Sequence, residues 1–403
     1  MSIHRRQFLG STAGALAAAP RADDFDAIRK EFPRAMNEVY LDAAAHMPLP
    51  RYTAEGMRRY MDFHMYGPGE GRGEYAAKAT KDAHVLFAKL IGAKPSEIAH
   101  AMCTKAGEAA VLNGLRIRES GGNVVTNDLH YAGSVHDYIG RRKEGLDVRI
   151  VRHRDWRIDF RDMERAVDKK TKLVSITLVS NVNGSVEDAK SLSELAHANG
   201  AYLYADIIQA AGSVPVDVKA LGIDFAACSS YKWLQGARGA GFLYVREDLQ
   251  GRVVQDLSHP GYVHYNYEPW VTKKNPAEDD FPYREPSTAS RYEPGNINYT
   301  AYAGGSEALK RMLAVGIENI YAHAKPMCDR LKKELPDLGY RLITPMDAKS
   351  SLVVVQAKDL KASLAKLKKA NVQVTSAGEN RLRISPAVYN NMSDIDVLLK
   401  ALA

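Results

Sequence analysis

Short apolar segments rich in β-branched and aromatic residues alternate along this chain with segments of helical periodicity. The strand-like runs are NVVTN, LDVRIVRH, KLVSITLVS, AYLYADI, DFAACSS and GAGFLYV. Between several of them lie helical patterns such as SLSELAHANG, which ends on Gly200, and glycine commonly terminates helices. Nearly continuous apolar strands separated by helices predict an α/β fold in which helices cover both faces of a mostly parallel sheet.

The chain is longer than one hydrophobic core usually supports. Its 403 residues exceed the roughly 250 to 300 at which single cores stop growing. From about Thr300 a long helical pattern leads into alternating strand and helix patterns. We therefore predict a large domain over residues 23–295 and a smaller α/β domain over 296–403. The proline-rich and charged stretch from Lys273 to Pro286 is predicted to be a long loop that covers a site.

The first 22 residues have the pattern of an export signal. A basic start containing Arg5 and Arg6 precedes a short run of small apolar residues, and further small residues suit cleavage. Arg-Arg-Gln-Phe-Leu resembles the twin-arginine signal, so we predict an exported, periplasmic protein. An alanine-rich N-terminus without a signal function is the alternative, and it would leave the protein in the cytoplasm. The apolar run is too short for a stable membrane anchor.

Charge and cysteine content argue against several classes of protein. The formal net charge is +7, but three of these charges lie in the first 22 residues and the other basic residues are interspersed with acids. This pattern is typical of solvated helix faces rather than of a nucleic-acid binding surface. The three cysteines, Cys103, Cys228 and Cys328, are too scattered for a disulfide framework or a zinc site, and we predict no metal.

A carboxylate and an amine follow two successive predicted strands. Asp206 comes after the apolar run AYLYA, with Gln209 just beyond, and Lys232 follows the next strand, DFAACSS. A buried Asp requires a cation or a hydrogen-bond donor, although Asp206 alone equally suits a helix cap. A lysine is usually a surface residue, but one at a closed strand end can become a nucleophilic amine.

Together these residues match the needs of pyridoxal phosphate. The cofactor requires a Schiff-base amine, a carboxylate that keeps its ring nitrogen protonated and donors for its phosphate. Lys232 and Asp206 provide the first two, and the hydroxyl residues Ser229 and Tyr231 stand beside the lysine.

The chain resembles the class V aminotransferase group of fold type I pyridoxal-phosphate enzymes, which includes cysteine desulfurases, kynureninases and isopenicillin N epimerase-like proteins. The resemblance is carried by ADIIQAAGSVPVDV, by DFAACSSYKWLQGARGAGFLYV, and by RLRISPAVYNNMSDID near the C-terminus. It runs from about Tyr40 to the last helix and implies a large domain with a mostly parallel sheet and a smaller C-terminal domain. Tyr231 departs from the histidine that is common before the lysine.

The resemblance implies roles for further residues. Lys232 would carry the cofactor and shuttle the α-proton, and Asp206 would pair with the ring nitrogen. Tyr131 would stack on the ring, with His130 as the next candidate. The helix start formed by Lys105, Ala106 and Gly107 would bind the cofactor phosphate. Ser229 and Tyr231 would donate further hydrogen bonds to that phosphate. Gln209 and Asn181 would form hydrogen bonds near the phenolic oxygen of the ring. On its own, Asn181 is more typical of a turn.

Substrate and partner binding are also implied. Arg383 would bind the carboxylate of a small amino-acid-type substrate through a planar fork, with Arg381 as the alternative on the same strand face. Asn296, in the segment SRYEPGNINY, would reach the phosphate of a partner subunit, which implies a homodimer.

The reaction type stays open at this stage. Cysteine desulfurases of this group carry a reactive cysteine on a loop before the C-terminal arginine, and the corresponding stretch KKANVQVTSAGENRLRIS contains none. We therefore predict an aminotransferase-type enzyme that is not a cysteine desulfurase. Epimerisation or carbon–sulfur bond cleavage is the alternative, and a non-catalytic binding protein with the same fold is a remote one.

Overall fold

The computed structural model describes residues 22–255 and 286–403. The predicted signal, except Ala22, and nearly all of the predicted loop from Lys273 to Pro286 lie outside the described residues. No helix in the described ranges is long and apolar enough to cross a membrane.

Thirteen strands and twelve α-helices are found in the described ranges. The strands are β1 (Val39–Tyr40), β2 (Ile98–Ala101), β3 (Asn123–Asn127), β4 (Asp147–Val151), β5 (Thr171–Thr177), β6 (Tyr202–Asp206), β7 (Phe225–Ser229), β8 (Gly241–Val245), β9 (Arg341–Leu342), β10 (Val353–Gln356), β11 (Val372–Gln373), β12 (Thr375–Ala377) and β13 (Arg381–Ile384). The helices are α1 (Ala22–Lys30), α2 (Pro33–Asn37), α3 (Arg51–Tyr66), α4 (Arg72–Leu90), α5 (Thr104–Gly114), α6 (Ala132–Lys143), α7 (Phe160–Ala166), α8 (Ala189–Ala198), α9 (Tyr299–Val315), α10 (Ile317–Asp337), α11 (Leu360–Lys369) and α12 (Met392–Leu402).

The large sheet has seven strands in the spatial order β2-β8-β7-β6-β5-β3-β4. The five adjacent strands β7, β6, β5, β3 and β4 are parallel to one another. Strand β8 runs antiparallel to both β7 and β2. The prediction of a mostly parallel sheet between helices is confirmed. Because the parallel strands point the same way, Asp206 at the end of β6 and Ser229 at the end of β7 lie at one edge of the sheet.

Helices cover both faces of this sheet. Buried side chains of α5 and α6, among them Val111 and Tyr138, share a core with Tyr204 and Ala227. The opposite face packs against α4, α7 and α8. Asp206 alternates with Ala205 and therefore lies on the same face as Tyr204, beneath α5 and α6. This assigns the candidate site to one layer of the molecule.

A four-stranded antiparallel sheet, β12-β13-β10-β9, forms the smaller C-terminal unit. Its core includes side chains of α10, α11 and α12. The change of core falls within α10, because Ile317 and Ile320 pack with the large core whereas Leu331 and Leu335 pack with the small one. The change from one core to the other therefore lies after residue 296, and the predicted domain boundary at that residue stays a prediction. β1 pairs with β11, so the N-terminal segment reaches both units.

Two glycines allow α3 and α9 to approach closely. A Cβ added at Gly304 would lie 2.6 Å from Met57 Cγ and 2.7 Å from the carbonyl oxygen of Thr53. A Cβ added at Gly56 would lie 2.9 Å from the carbonyl oxygen of Ala303. The helix backbones therefore meet where both side chains are missing. By contrast, a Cβ at the neighbouring Gly305 would meet nothing within 4 Å.

We expect Gly304→Ala to lower the free energy of unfolding by about 1–3 kcal/mol, because overpacking would separate α3 from α9. Gly305→Ala, one residue away in the same helix, should be neutral or raise it by up to about 1 kcal/mol, since alanine favours the helix and has room. Urea unfolding of the two variants beside the parent measures both effects. Equal destabilisation by both would contradict the close-approach explanation.

Candidate active site

Asp206 and Lys232 form the centre of the candidate site. Asp206 ends β6 with 3% of its surface exposed, and Lys232 lies in the turn after β7 with 9% exposed. Burial raises the pKa of the Asp206 carboxyl and lowers the pKa of the Lys232 amine. Within the described ranges, Lys232 Nζ forms no ion pair or hydrogen bond, and its recorded contact is with the Tyr231 ring at 5.8 Å. The amine and the Asp206 carboxylate therefore interact electrostatically without an ion pair or hydrogen bond between them.

The start of α5 is anchored to the end of β7. The Thr104 N–H donates to Ser229 Oγ at 2.8 Å, and the Ser229 N–H donates to Thr104 Oγ1 at 2.9 Å. A Cβ added at Gly107 would lie 2.8 Å from Ala227 Cβ, so helix and strand are in close contact. Helix geometry leaves the N–H groups of Lys105 and Ala106 without intrahelical acceptors. Such groups attract an anion, and the predicted phosphate segment has this geometry.

Gln209 connects the site to the N-terminal segment. Its amide donates to the carbonyl oxygen of Ala44 at 2.9 Å and accepts from the Trp233 indole N–H at 2.7 Å. An amide nitrogen has two hydrogens, so one remains for a ligand. Asn181 is half-buried, and its backbone carbonyl oxygen accepts a hydrogen bond from Arg383 at 3.4 Å.

The aromatic candidates differ in burial. His130 is 1% exposed, and its Nε2 lies 3.3 Å from Ser175 Oγ on β5. Tyr131 is 45% exposed, with its ring beside Gly133. The half-buried Tyr231 lies beside the His46 ring at 6.0 Å. The structure therefore places His130 inside the sheet-facing layer and Tyr131 at the solvent boundary.

Arg383 is a buried cation with few partners. One Nη donates to the carbonyl oxygen of Asn181 at 3.4 Å, and the other lies 3.9 Å from Asp42. Its Nε is buried and has no hydrogen-bond partner in the part of the chain that the structure describes. Arg381 also reaches this region, donating to the carbonyl oxygen of Val182 at 3.1 Å. The two arginines thus lie on one face of β13. Of the two, Arg383 is the one with a buried guanidinium nitrogen that lacks a hydrogen-bond partner among the described residues.

The three cysteines and Asn296 differ in burial. Burial raises the pKa of Cys328 to about 12 and raises that of Cys228 well above its usual range. Cys103 precedes α5 and is half-buried. Asn296 is exposed, in the segment that leads into α9.

One group of side chains in the described ranges has the spacing of metal ligands. It comprises His84, His100 and Glu293, whose ligand atoms lie within 4.8 Å of one another. His84 Nε2 lies 2.9 Å from the carbonyl oxygen of Pro95, and His100 Nδ1 lies 2.9 Å from Glu293 Oε1. Glu293 also accepts the backbone N–H of His100. Hydrogen bonds that join the segment around Glu293 to β2 therefore explain why these three side chains lie together.

Several buried polar residues near the site were not identified from the sequence. Thr104 bonds Ser229, Asp42 approaches Arg383, and Glu108 lies 2% exposed on the second turn of α5. A carboxylate within the mostly apolar or small pattern EAAVLNGL would have been the signal for Glu108. Asp42, directly after the apolar run VYL, offered a similar one.

Comparisons with known proteins agree with this architecture. The family model described as aminotransferase class-V matches residues 39–398. A probable cysteine desulfurase of Methanothermobacter thermautotrophicus is 32% identical over 319 residues, which are 75% of this chain and 74% of the relative. An uncharacterized aminotransferase of Bacillus subtilis is 24% identical over 368 residues, covering 91% of this chain and 94% of the relative.

Solved structures share the fold. The apo cysteine desulfurase of Thermococcus onnurineus superposes with a TM-score of 0.79 at 22% identity, covering 96% of this chain and 98% of that one. A cystine C–S lyase, solved with its product cysteine persulfide, gives a TM-score of 0.78 at 20% identity, covering 92% and 98%.

Proposed function

Since the chain belongs to the class-V aminotransferase family of pyridoxal-phosphate-dependent enzymes, we propose that it is an aminotransferase-type enzyme acting on an amino acid or on an amino group of a secreted metabolite. The observation that carries the proposal is the buried Lys232 amine, which has no bonded partner among the described residues and interacts electrostatically with the buried Asp206 carboxylate. A degenerate copy with only a binding role would have no need for a buried lysine, a buried carboxylate and Arg383 together.

The residues present fit pyridoxal phosphate. The first-turn N–H groups of α5 suit its phosphate, Asp206 suits its ring nitrogen, and Lys232 suits its aldehyde carbon. When bound, the cofactor supplies an electron-withdrawing ring that stabilises negative charge at the substrate's α-carbon. Because burial lowers the pKa of Lys232, its Nζ can accept the proton of that carbon and return it to a neighbouring atom. Arg383 would hold the substrate carboxylate meanwhile.

The purified protein should be yellow and should lose this colour on borohydride reduction, with the reduced cofactor attached to the peptide that contains Lys232. Lys232→Ala should remove the attachment because it removes the amine, whereas Lys219→Ala, at an exposed lysine of the same domain, should not. Absorbance and peptide mass spectrometry measure both. A colourless parent protein that takes up no added cofactor would end the enzyme hypothesis.

Arg383→Lys should raise the KM for an amino-acid substrate by about 10-fold or more, because a hydrogen bond to a charged group contributes about 1.5–3 kcal/mol. Arg381→Lys is the matched control and should change KM less, since its guanidinium already bonds the carbonyl oxygen of Val182 and stacks near Trp156. Steady-state kinetics of the two variants shows which arginine binds the substrate carboxylate. A larger effect at Arg381 would reverse the assignment of the anchor.

A second candidate is carbon–sulfur bond cleavage. It is favoured by the structural similarity to a cystine C–S lyase and by relatives that are named cysteine desulfurases. Persulfide transfer itself is less compatible with the chain, because residues 370–381 contain no cysteine and both Cys228 and Cys328 are buried with raised pKa values. Epimerisation begins with the same α-proton removal and stays an alternative.

The reactions differ in their products. Incubation with candidate amino acids and a 2-keto acid should give a new amino acid and a new keto acid if the lead proposal is right. Pyruvate, ammonia and a sulfur product from cysteine or cystine would favour lyase activity, and racemised substrate alone would favour epimerisation. Alanine with protein-bound sulfur would identify a desulfurase and overturn its exclusion.

We also propose that the protein is exported and acts as a homodimer. Arg5 and Arg6 support export, and fractionation of cells that express the full chain checks it. The exposed Asn296 supports a dimer in which this residue reaches the partner's phosphate site. Light scattering should then give twice the mass of one mature chain.

A further inference from the structure

A buried polar cluster lies between α5, α6 and β5, on the sheet face that bears Asp206. Its centre is the Glu108 carboxylate. Glu108 Oε2 accepts from Ser134 Oγ at 2.6 Å and from Lys105 Nζ at 2.9 Å. Glu108 Oε1 accepts from the Tyr138 hydroxyl at 2.9 Å. Both carboxylate oxygens are therefore engaged, and each has a different set of donors.

A chain of contacts leads from Glu108 to His130. The Tyr138 hydroxyl oxygen lies 2.7 Å from Ser175 Oγ as well as bonding Glu108. Ser175 Oγ lies 3.3 Å from His130 Nε2. The other ring nitrogen, His130 Nδ1, accepts the backbone N–H of Tyr131 at 2.6 Å. Four side chains from α5, α6, β5 and the turn before α6 are thus connected in series.

The direction of each hydrogen bond follows from the donors available. Nδ1 must carry a lone pair because it faces an N–H group, so a neutral His130 has its proton on Nε2. Nε2–H then donates to Ser175. The phenol has one proton and an ionised carboxylate only accepts, so Tyr138 donates to Glu108 and Ser175 donates to Tyr138. All protons point towards Glu108, and every member is satisfied.

We propose that Glu108 is a positioning residue that acts through Tyr138 and Ser175 to hold His130 as the neutral Nε2–H tautomer, with its ring fixed against the cofactor site. The cofactor part of this statement rests on the proposed function, whereas the tautomer part does not.

The charges around His130 are compatible with a neutral ring. Burial lowers its pKa to about 4, Glu108 opposes this shift and Lys105 adds to it. Lys105 is in turn paired with Asp137 of α6 at 2.8 Å, and Asp206 lies on the same sheet face. At neutral pH the Nε2 proton therefore belongs to a neutral imidazole.

Glu108→Gln should reverse the series. Ser134 and Lys105 both donate to one side of the carboxylate, so the glutamine oxygen should turn to that side and its NH₂ should face Tyr138. Tyr138 would then donate to Ser175, and Ser175 to His130 Nε2. Both ring nitrogens would then face a donor, but a neutral imidazole has only one acceptor nitrogen. His130 must therefore lose one contact: moving its proton to Nδ1 gives up the Tyr131 N–H, and keeping it on Nε2 gives up Ser175.

The test uses the full mature chain labelled with ¹⁵N at histidine, with and without cofactor, and His130→Asn to assign the signals. We expect Glu108→Gln to reduce the population of the Nε2–H form in both states. Tyr138→Phe should change the His130 signals in the same sense, and it serves as a second variant if Glu108→Gln does not fold. Asp137→Asn is the matched control, because Asp137 shares Lys105 but lies outside the series.

The cofactor arm measures the dissociation constant for pyridoxal phosphate. Glu108→Gln should raise it about two- to tenfold, the equivalent of one misplaced aromatic contact. Unchanged His130 signals in Glu108→Gln would overturn the proposal. Altered signals with an unchanged dissociation constant would overturn the link between the His130 tautomer and the cofactor site. A parent protein that binds no cofactor while the signals change as expected would refute the proposed function but not the tautomer control.

Discussion

The site depends on two opposite charges that are buried close together without touching. Asp206 ends β6 and Lys232 follows β7, and both side chains are almost entirely removed from water. Taking a carboxylate and an ammonium into the interior is unfavourable unless each gains a partner. Within the described ranges, the one hydrogen bond to the Asp206 carboxylate comes from the backbone N–H of Ile208, at 2.9 Å. An arrangement of this kind is best explained by a ligand that bonds both groups.

Contacts from distant parts of the chain position the elements that carry both groups. Ser229 and Thr104 bond each other, and the absence of a side chain at Gly107 lets α5 start directly above β7. Gln209 holds the turn after β6 against Ala44, and Met47 donates its N–H to the carbonyl oxygen of Tyr231. These contacts join elements that are far apart in the chain. They fix the strand ends, the helix start and the lysine turn as one rigid frame.

The sequence could indicate candidate site residues that follow strand ends, but it could not indicate contacts between distant segments. Asp206 could be proposed because it directly follows an apolar run. Lys232 could be proposed because only hydroxyl residues separate it from the next apolar run. Ser229 is predicted to serve a phosphate; its hydroxyl also accepts the backbone N–H of Thr104 at the start of α5, a pairing across 125 residues. The preference for Tyr131 over His130 rested on resemblance alone. Their difference in burial arises from how α6 docks on β5, which no local pattern reveals.

The proposed substrate anchor illustrates the same coupling across the chain. Arg383 belongs to the small C-terminal sheet, yet its guanidinium reaches Asn181 of the large domain and Asp42 of the N-terminal segment. Ser385, two residues later, accepts the N–H of Ala44 and donates to the carbonyl oxygen of Leu41. The same N-terminal segment contacts Gln209 and Tyr231. A carboxylate that bonds Arg383 would therefore act on a segment that also supports the lysine turn, which links substrate binding to the geometry of the amine.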